Sequence, residues 1–335
     1  MAKWFNDEGR DSDVVLSTRI RLARNLKGIP YPGKMTKDDA LKVISLVESA
    51  LDEMNYTFTK YDMQILSGNE KEKLVEERYI SPNLAASSLP SCAYISEDHS
   101  VSIMVNEEDH IRIQCIYAGF EDKKAYDLIN KIDTYLSEKL DYALHEKYGH
   151  LTSCLTNVGT GMRISYMMHL PAIVMFKASD GIFSSISKLG ATVRGMYGEG
   201  TKSSGFLFQI SNQVTLGKDE NEIINDVAKI AEGIITREKE LRCELSKQKG
   251  LVLEDKIMRS YGSLKHARIM QSSEMMTLLS DVRLGISLGF IEDTDLKTVN
   301  NLMIMASRAH ISNSDNSDSP FERDVERARL IRNTL

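Results

Sequence analysis

The chain has 335 residues, a length that predicts two domains rather than one compact core. Its hydrophobic fraction of 42% and charged fraction of 27% are those of an ordinary soluble globular protein. Asp and Glu outnumber Lys and Arg by 48 to 42, and the formal net charge of -6 argues against a general nucleic-acid binder, which usually needs a basic face. Any anion-binding site must therefore be a local concentration of arginines.

The sequence predicts a cytoplasmic protein with no membrane partner. Its longest strongly apolar stretch, residues 170–176, is far shorter than the roughly 20 residues that a membrane-spanning helix needs, and the N-terminus has no signal-peptide pattern. The cysteines lie far apart, with no Cys-x-x-Cys pair and no histidine cluster at metal-ligand spacing, so neither a disulfide framework nor a zinc site is predicted. The cysteines are Cys92, Cys115, Cys154 and Cys243.

The first part of the chain, residues 1–218, mixes predicted helices with predicted strands. A capping-box pattern at Thr36 opens a helix, whose apolar stripe comprises Ala40, Ile44, Val47, Leu51 and Met54. A second helix is predicted over residues 122–148, with Gly149 ending it. Segments rich in β-branched residues predict strands at residues 93–95, 101–105, 111–117, 162–169 and 206–211. Strands so close in sequence should pair antiparallel, so we predict an α+β fold with helices flanking an antiparallel sheet.

The second part, residues 219–335, is predicted to be an all-α domain. An apolar pattern marks its first long helix, with members Ile223, Val227, Ile230 and Ile234. A polar segment at residues 312–320 interrupts the helices before one last, arginine-rich helix.

Two charged segments in the first part are candidates for binding and catalysis. In Ser-Thr-Arg-Ile-Arg at residues 17–21, alternation along an extended chain would point Arg19 and Arg21 to one side, where paired guanidinium groups suit phosphate oxygens. In Asn-Glu-Glu-Asp-His-Ile-Arg at residues 106–112, a turn between two strands carries carboxylates that suit a cationic nucleophile and an arginine that suits an anion. A solvated basic strand and a charged hairpin turn explain these patterns equally simply.

Two glycine-containing segments complete the set. Residues 154–163 run from Cys154 through a loop of small residues into a strand, and such loops let backbone N–H groups approach an anion. This segment is neither a Walker loop nor a dinucleotide fingerprint, and Cys154 alone would be interpreted as a buried small hydrophobe. Residues 194–200, Arg-Gly-Met-Tyr-Gly-Glu-Gly, predict either a mobile loop that closes over a ligand or an ordinary surface loop.

Together and in this order, the four segments resemble the catalytic domain of the phosphagen (guanidino) kinases, which has a glutamine-synthetase-like antiparallel sheet. The closer resemblance is to the bacterial protein arginine kinases of the McsB type. The catalytic segments begin near the start of the chain, which we expect to lack the N-terminal helical domain of small-substrate relatives. Tyr197 stands where those relatives usually carry an arginine, and residues 323–328 match the Arg-Asp-x-x-Arg-Ala motif of the protein kinases' C-terminal domain.

The resemblance implies an enzyme that uses ATP and Mg²⁺ to phosphorylate arginine side chains of proteins. It implies that Glu108 and Glu199 grip the guanidinium, that Glu108 takes its proton, and that Cys154 lies beside it. No protein metal ligand is expected, because nucleotide oxygens and water would hold Mg²⁺. Arg78 occupies a position where relatives usually have a nucleotide-contacting histidine. The residues implied to bind the nucleotide are Ser17, Thr18, Arg19, Ile20, Arg21, Arg78, Arg112, Arg163, Ile164, Ser165, Tyr166, Met167, Arg194, Gly195, Met196, Tyr197 and Gly198.

The last helix is implied to bind phosphoarginine as an allosteric ligand through Arg323, Asp324, Arg327 and Ala328. Family resemblance further implies a homodimer, an activator protein, regulation of a stress-response repressor and delivery of marked proteins to a Clp-type protease. Two alternatives remain open. One is a kinase for free arginine or another small guanidine, and the other is a phosphoarginine-binding adaptor with a vestigial kinase site.

Overall fold

A computed structural model describes residues 3–195, 204–312 and 319–335 of the chain. These residues form an antiparallel sheet with helices against it, followed by a helical region. The described strands are β1 (Val15–Arg24), β2 (Phe58–Asp62), β3 (Cys92–Ser96), β4 (Val101–Val105), β5 (Ile111–Ala118), β6 (Leu144–His145), β7 (Gly149–His150), β8 (Met162–His169), β9 (Ala191–Gly195) and β10 (Leu207–Asn212). The described α-helices are α1 (Lys37–Asp52), α2 (Gly68–Glu76), α3 (Pro82–Ala85), α4 (Asp122–Lys139), α5 (Pro171–Met175), α6 (Ser179–Lys188), α7 (Glu220–His266), α8 (Ser272–Ser287), α9 (Leu296–Met305), α10 (Arg308–Ile311) and α11 (Pro320–Thr334).

Eight of the strands form one sheet in the order β2-β3-β4-β5-β1-β8-β10-β9, and every neighbouring pair is antiparallel. The predicted α+β class is therefore confirmed. β1 lies inside the sheet, between β5 and β8. The predicted strands at residues 101–105 and 162–169 have the observed bounds, whereas β2 and β9 were not predicted.

Alternation along β1 gives the sheet two unlike faces. Ile20 and Leu22 point into the main core, where they join apolar residues of β5 and β8 and the buried sides of α1 and α4. Arg19 and Arg21 point to the opposite face. One face of the sheet thus packs against the helices in the main core, and the other carries a row of cationic side chains.

The helix predicted at Thr36 is confirmed as α1, with a complete capping box between Thr36 and Asp39. The second predicted helix is too long, because α4 ends at Lys139 and Leu140 adopts extended dihedral angles. Beyond it the backbone pairs with the segment after β1, and the Ala143 amide donates to the Asn25 carbonyl over 2.7 Å. Residues 144–150 consequently form a short hairpin rather than the last helical turns.

The helical region begins with α7, a 47-residue helix that includes the predicted apolar pattern. Its first half, from Ile223 to Leu241, packs into the sheet's core, whereas Leu253, Ile257 and Leu264 belong to a second core formed with α8, α9 and α11. The helix therefore spans both cores, and the division at residue 218 stays a prediction. Among the described residues, no helix combines the length and apolar character that crossing a membrane requires.

Candidate active site

Three central strands bring the predicted arginines together on the open face of the sheet. Arg21 of β1 lies directly opposite Arg163 of β8, and Ala23, on the same side of β1, pairs with Arg112 of β5. Arg194 on the edge strand β9 contributes to the same field, because its charge is among those that lower the pKa of Arg163. We call Arg19, Arg21, Arg112 and Arg163 the arginine row.

Among the described residues, carboxylates form ion pairs with Arg112 of the arginine row but not with Arg19, Arg21 or Arg163. Burial, together with the charges of Arg78, Arg163 and Arg112, lowers the pKa of Arg19 to about 9. Burial and the neighbouring arginines also lower the pKa of Arg21, which makes no side-chain hydrogen bond or ion pair with any described residue. Because a guanidinium holds its proton so tightly, a bound anion relieves this repulsion more readily than deprotonation does.

A carboxylate pair ends the arginine row. Arg112 Nη1 lies 2.7 Å from Glu107 Oε2, and its Nη2 lies 2.9 Å from Glu108 Oε2. The Glu107 side chain is 1% exposed and also accepts a hydrogen bond from Ser81 Oγ at 2.7 Å, whereas the Glu108 side chain is 41% exposed. Glu107 therefore fixes Arg112, and Glu108 remains accessible to a substrate. Sequence reasoning missed the role of Glu107.

Asp109 ties this carboxylate turn to the segment that carries Cys154. Its Oδ1 accepts hydrogen bonds from Asn25 Nδ2 and from the Ser153 amide, both at 2.7 Å, inside the protein. Cys154 follows directly, with Sγ 3.0 Å from Thr156 Oγ1. Glu108 and Cys154 are thus held at the same end of the arginine row, and Asp109 is a second positioning residue that the sequence did not reveal.

Strand β10 supplies polar partners that were also not predicted. Arg19 Nη2 donates to Gln209 Oε1 at 3.0 Å, and Arg163 Nη2 donates to Ser211 Oγ at 2.9 Å. The only signal in the sequence is alternation, since polar residues 209 and 211 flank the apolar Ile210. Both contacts orient guanidinium groups without neutralising them.

Because side chains alternate along a strand, the residues predicted to bind the nucleotide lie on two different faces of the sheet. Ser17, Ser165 and Met167 line the same face as Arg19, together with Arg78 from the turn after α2. The side chains of Ile20, Ile164 and Tyr166 lie in the core on the other face. Thr18 is also buried, and its hydroxyl donates to the Gly119 carbonyl at 2.7 Å. The structure therefore does not bring these four side chains to the arginine row.

The first glycine segment is, as predicted, a loop that leads into a strand, here β8, and the second is described only as far as Gly195. A Cβ on Gly161 would lie 2.6 Å from the Ala23 carbonyl oxygen, and one on Gly159 would lie 2.1 Å from that of Thr215, so these glycines permit close backbone packing. Arg194 and Gly195 belong to strand β9, not to a mobile loop, because β9 pairs with β10. The remaining predicted residues of this segment, Met196, Tyr197, Gly198 and Glu199, lie outside the described residues.

A cleft of about 530 Å³ opens over part of this face, between the sheet and the helical region. Arg19, Arg21 and Arg78 line it from one side, and Arg308 of α10 lines it from the other. Next to Arg19 and Arg78 lies an apolar recess lined by Leu16, Ile116, Met167, Met303 and Ile304. The cleft combines a cationic stretch with an apolar end, a combination that suits a nucleotide's phosphates and base. Among the described residues, no group of three His, Cys, Asp or Glu side chains could hold a metal ion.

The Arg-Asp-x-x-Arg-Ala motif lies on α11, away from the arginine row. Arg327 is 3% exposed and donates to the carbonyls of Ala306 and Met270 at 2.9 and 2.8 Å. It also pairs with Asp324 at 2.5 Å, and Ala328 is buried in the second core. In this structure Arg327 anchors α11 to the end of α9 and the segment before α8.

Two protein-family models match the chain in succession. Residues 42–241 match the model described as ATP:guanido phosphotransferase, C-terminal catalytic domain. Residues 250–335 match the model described as Protein-arginine kinase McsB C-terminal domain. Each matched segment contains part of α7. The two parts lie on either side of Lys249, whose dihedral angles are non-helical.

Curated relatives match over nearly the whole chain. The chain is 44% identical to the protein-arginine kinase of Pelotomaculum thermopropionicum, over 98% of this chain and 94% of that protein. It is 46% identical to the protein-arginine kinase of Caldanaerobacter subterraneus subsp. tengcongensis, over 97% of this chain and 98% of that protein.

Solved structures support the fold. A crystal structure of lombricine kinase superposes with a TM-score of 0.64 at 22% identity, covering 71% of this chain and 70% of the other. The duplicated taurocyamine kinase from Schistosoma mansoni, with bound transition-state analogue components, gives 0.63 at 24% identity over 70% of this chain and 34% of the other.

Proposed function

Because this chain belongs to the ATP:guanido phosphotransferase family and, within it, to the protein-arginine kinases, we propose that it transfers the γ-phosphoryl group of ATP to arginine side chains of proteins. The observation that carries the proposal is the arginine row, in which Arg19 and Arg21 form no ion pair with a described residue and which ends at the exposed carboxylate of Glu108. An anion site beside a guanidinium acceptor is what this transfer needs.

The proposed position of the nucleotide follows from the charged and apolar parts of the sheet face that carries the arginine row. Arg19, Arg21 and Arg163 contact the phosphates, and so does Arg112, which Glu107 fixes. The base lies toward the apolar recess that Met167 lines, next to Arg78. Arg194 and Gly195 flank the site from β9. Ile20, Ile164, Tyr166 and Thr18 act in this proposal through the strands and turn that they stabilise.

The proposed chemistry places the acceptor guanidinium against Glu108. Charge-assisted hydrogen bonds from the guanidinium to this carboxylate aim one nitrogen at the γ-phosphorus. The N–P bond forms, the bond from phosphorus to the β–γ bridging oxygen breaks to release ADP, and Glu108 takes the proton that the nitrogen loses. An arginine side chain holds its proton very tightly, so this proton leaves late, as the N–P bond forms. Glu199 completes the carboxylate pair in this proposal, and Cys154 lies on the guanidinium side of the arginine row.

Magnesium enters the proposal as an ion bound to the nucleotide. The described residues hold no cluster of three carboxylate, histidine or cysteine ligands for it. Mg²⁺ is therefore assigned to phosphate oxygens and water, where its charge offsets that of ATP. None of the steps above is assigned to it.

The acceptor is proposed to be an arginine within a protein. The names of the curated relatives support this choice, and the exposure of the Glu108 side chain is consistent with it. A competition experiment tests the choice: the chain receives ATP, Mg²⁺, casein and an excess of free arginine. We expect phosphate on casein arginines and little inhibition. Preferential formation of free phosphoarginine would favour the small-guanidine kinase, and absence of ATP turnover would favour the adaptor.

We also propose that α11 binds phosphoarginine, with Arg323 and Asp324 as contacts and Arg327 and Ala328 as the buried support of the helix. The match to the C-terminal family model supports this assignment. A cytoplasmic location, a homodimer, an activator protein, a stress-response repressor and a Clp-type protease remain proposals from family resemblance. Size-exclusion chromatography with light scattering tests the dimer.

A further inference from the structure

We propose that Arg308, supplied by the C-terminal helical region, is a ligand of the ATP phosphates. This inference rests on the proposed function, since it adds a binding residue to the same nucleotide site. It implies that the site is complete only while α10 is docked against the sheet domain.

Arg308 lines the cleft opposite Arg19, Arg21 and Arg78. It is the first residue of α10, it is exposed, and its side chain has no hydrogen bond or ion pair to any described residue. In the nucleotide-free protein, the three arginines across the cleft repel the positive charge of Arg308. A polyphosphate between the two walls would receive hydrogen bonds from both sides.

Backbone anchoring holds Arg308 in place despite this repulsion. The amide of the next residue, Ala309, donates to Glu76 Oε1 at 3.0 Å, and His310 Nδ1 lies 2.8 Å from Glu76 Oε2. His310 Nε2 lies 3.0 Å from Glu77 Oε1. Glu76 and Glu77 directly precede Arg78 in sequence. The two carboxylates thus tie the positions of Arg308 and Arg78 together, one on each side of the cleft.

The simpler interpretation of Arg308 is a solvated surface arginine. Two observations favour the ligand role. Both carboxylates of the anchor contact the backbone or the histidine of α10, and neither forms an ion pair with Arg308. The same cleft is lined by Arg19 and Arg21, and neither of these two side chains forms an ion pair with a described residue.

Steady-state kinetics of the full-length chain with casein as acceptor tests the assignment. We expect Arg308→Gln to raise the KM for ATP by about five- to tenfold, the effect of one partly solvated charge-assisted hydrogen bond. The expected kcat stays within about twofold and the KM for casein is unchanged. Arg308→Lys should recover part of the ATP affinity. Arg259→Gln, at an exposed arginine of α7, is the matched control and should leave all three parameters unchanged.

A second variant separates the phosphate contact from a folding effect. Glu76→Gln weakens the anchor, so it should raise the KM for ATP in the wild-type background and have little further effect in Arg308→Gln. An unchanged KM for ATP in Arg308→Gln, or a raised KM for casein instead, would overturn the inference while the enzyme stays active. A wild-type chain that neither binds nor turns over ATP would instead overturn the proposed function itself.

Discussion

At the scale of single residues, Glu107 and Glu108 are chemically identical neighbours in different surroundings. Both contact Arg112, but Glu107 is enclosed and held by Ser81, whereas Glu108 is exposed. The proposed division of labour gives Glu107 the task of fixing Arg112 and gives Glu108 the task of orienting the acceptor. The two carboxylates can be separated by experiment because only one of them is a candidate for touching the substrate.

We predict that Glu108→Gln lowers the rate of arginine phosphorylation by about 10²–10⁴-fold, the usual range for loss of a general base, while ADP affinity changes little. Glu107→Gln is the matched neighbour. It should weaken ADP binding as well, because it releases Arg112 from its fixed position. Calorimetric ADP titrations and phosphoarginine quantification under non-acidic conditions measure the two effects, and wild-type transfer by Glu108→Gln would contradict the mechanism.

A second residue-scale prediction concerns the charge of the arginine row. Arg21 is buried among like charges, so Arg21→Met should abolish most activity and yet stabilise the nucleotide-free protein. We expect Tm to rise by about 1–2 °C, corresponding to ~1 kcal/mol in a chain of this size. Thermal unfolding without and with ADP measures this effect. A lower Tm in the absence of nucleotide would show that Arg21 supports the fold rather than the ligand.

The residues on the arginine face were largely predictable, because motif and alternation together select Arg19, Arg21, Arg112 and Arg163. Which of two adjacent carboxylates is accessible was not predictable, since it depends on Ser81, which lies 26 residues from Glu107 in sequence. Gln209 and Ser211 were missed for the same reason. Their relevance arises from strand pairing, and no local pattern reports it.

At the scale of elements, α10 and α11 show how short helical segments position distant side chains. Arg327 fixes α11 through two backbone carbonyls, and Glu76 fixes α10 through one amide and one imidazole. Each contact satisfies polar groups that would otherwise lack partners in a partly buried place. The two arginines of the Arg-Asp-x-x-Arg-Ala motif therefore have different roles.

We predict that Arg327→Ala lowers the stability of the C-terminal region, because it leaves two carbonyls and Asp324 without their donor. The expected loss is about 2–4 kcal/mol, visible in urea unfolding. Arg323→Ala should weaken calorimetric binding of phosphoarginine at least about tenfold, corresponding to ~1.4 kcal/mol. Unaltered phosphoarginine affinity in Arg323→Ala would contradict the proposed allosteric site on α11.

A pH prediction follows from the α10 anchor. Burial lowers the pKa of His310, but its contacts with Glu76 and Glu77 outweigh burial and raise the pKa above 6.5 overall. The anchor's contribution to stability is therefore full below pH 6.5 and is lost as pH rises through the raised value. We expect the Tm difference between wild type and His310→Gln to be about 2–4 °C at pH 6 and to shrink above neutrality. A difference that grows with pH would contradict this assignment.

Whether the end of a helix could be predicted depended on whether local or tertiary contacts determine it. The capping box at Thr36 predicted the start of α1, because it is a local interaction. The predicted end of this helix, at residue 148, was wrong. Apolar residues continue at helical spacing as far as Leu144, but hydrogen bonding between Ala143 and Asn25 ends α4 earlier. Leu144 is consequently 63% exposed, although its spacing matched the buried stripe. Tertiary hydrogen bonds overrode periodicity there.

At the scale of the whole molecule, the candidate site is shared between the sheet and the helical region. A division of the sequence near residue 218 places every predicted catalytic residue in the first part. In the structure, Met303, Ile304 and Arg308 line the same cleft as Arg19. The antiparallel sheet was predictable from strand spacing, but this approach of α9 and α10 was not, because it joins residues nearly 300 positions apart without a local signal.

The central claim is phosphoryl transfer from ATP to arginine side chains at the Glu108 end of the arginine row. Its most direct test is mass spectrometry of casein after incubation with the purified chain, ATP and Mg²⁺, under handling that preserves acid-labile phosphate. We predict phosphate on arginine residues with the wild-type chain and its near absence with Glu108→Gln. Casein without phosphoarginine, or equal amounts with both proteins, would contradict the claim.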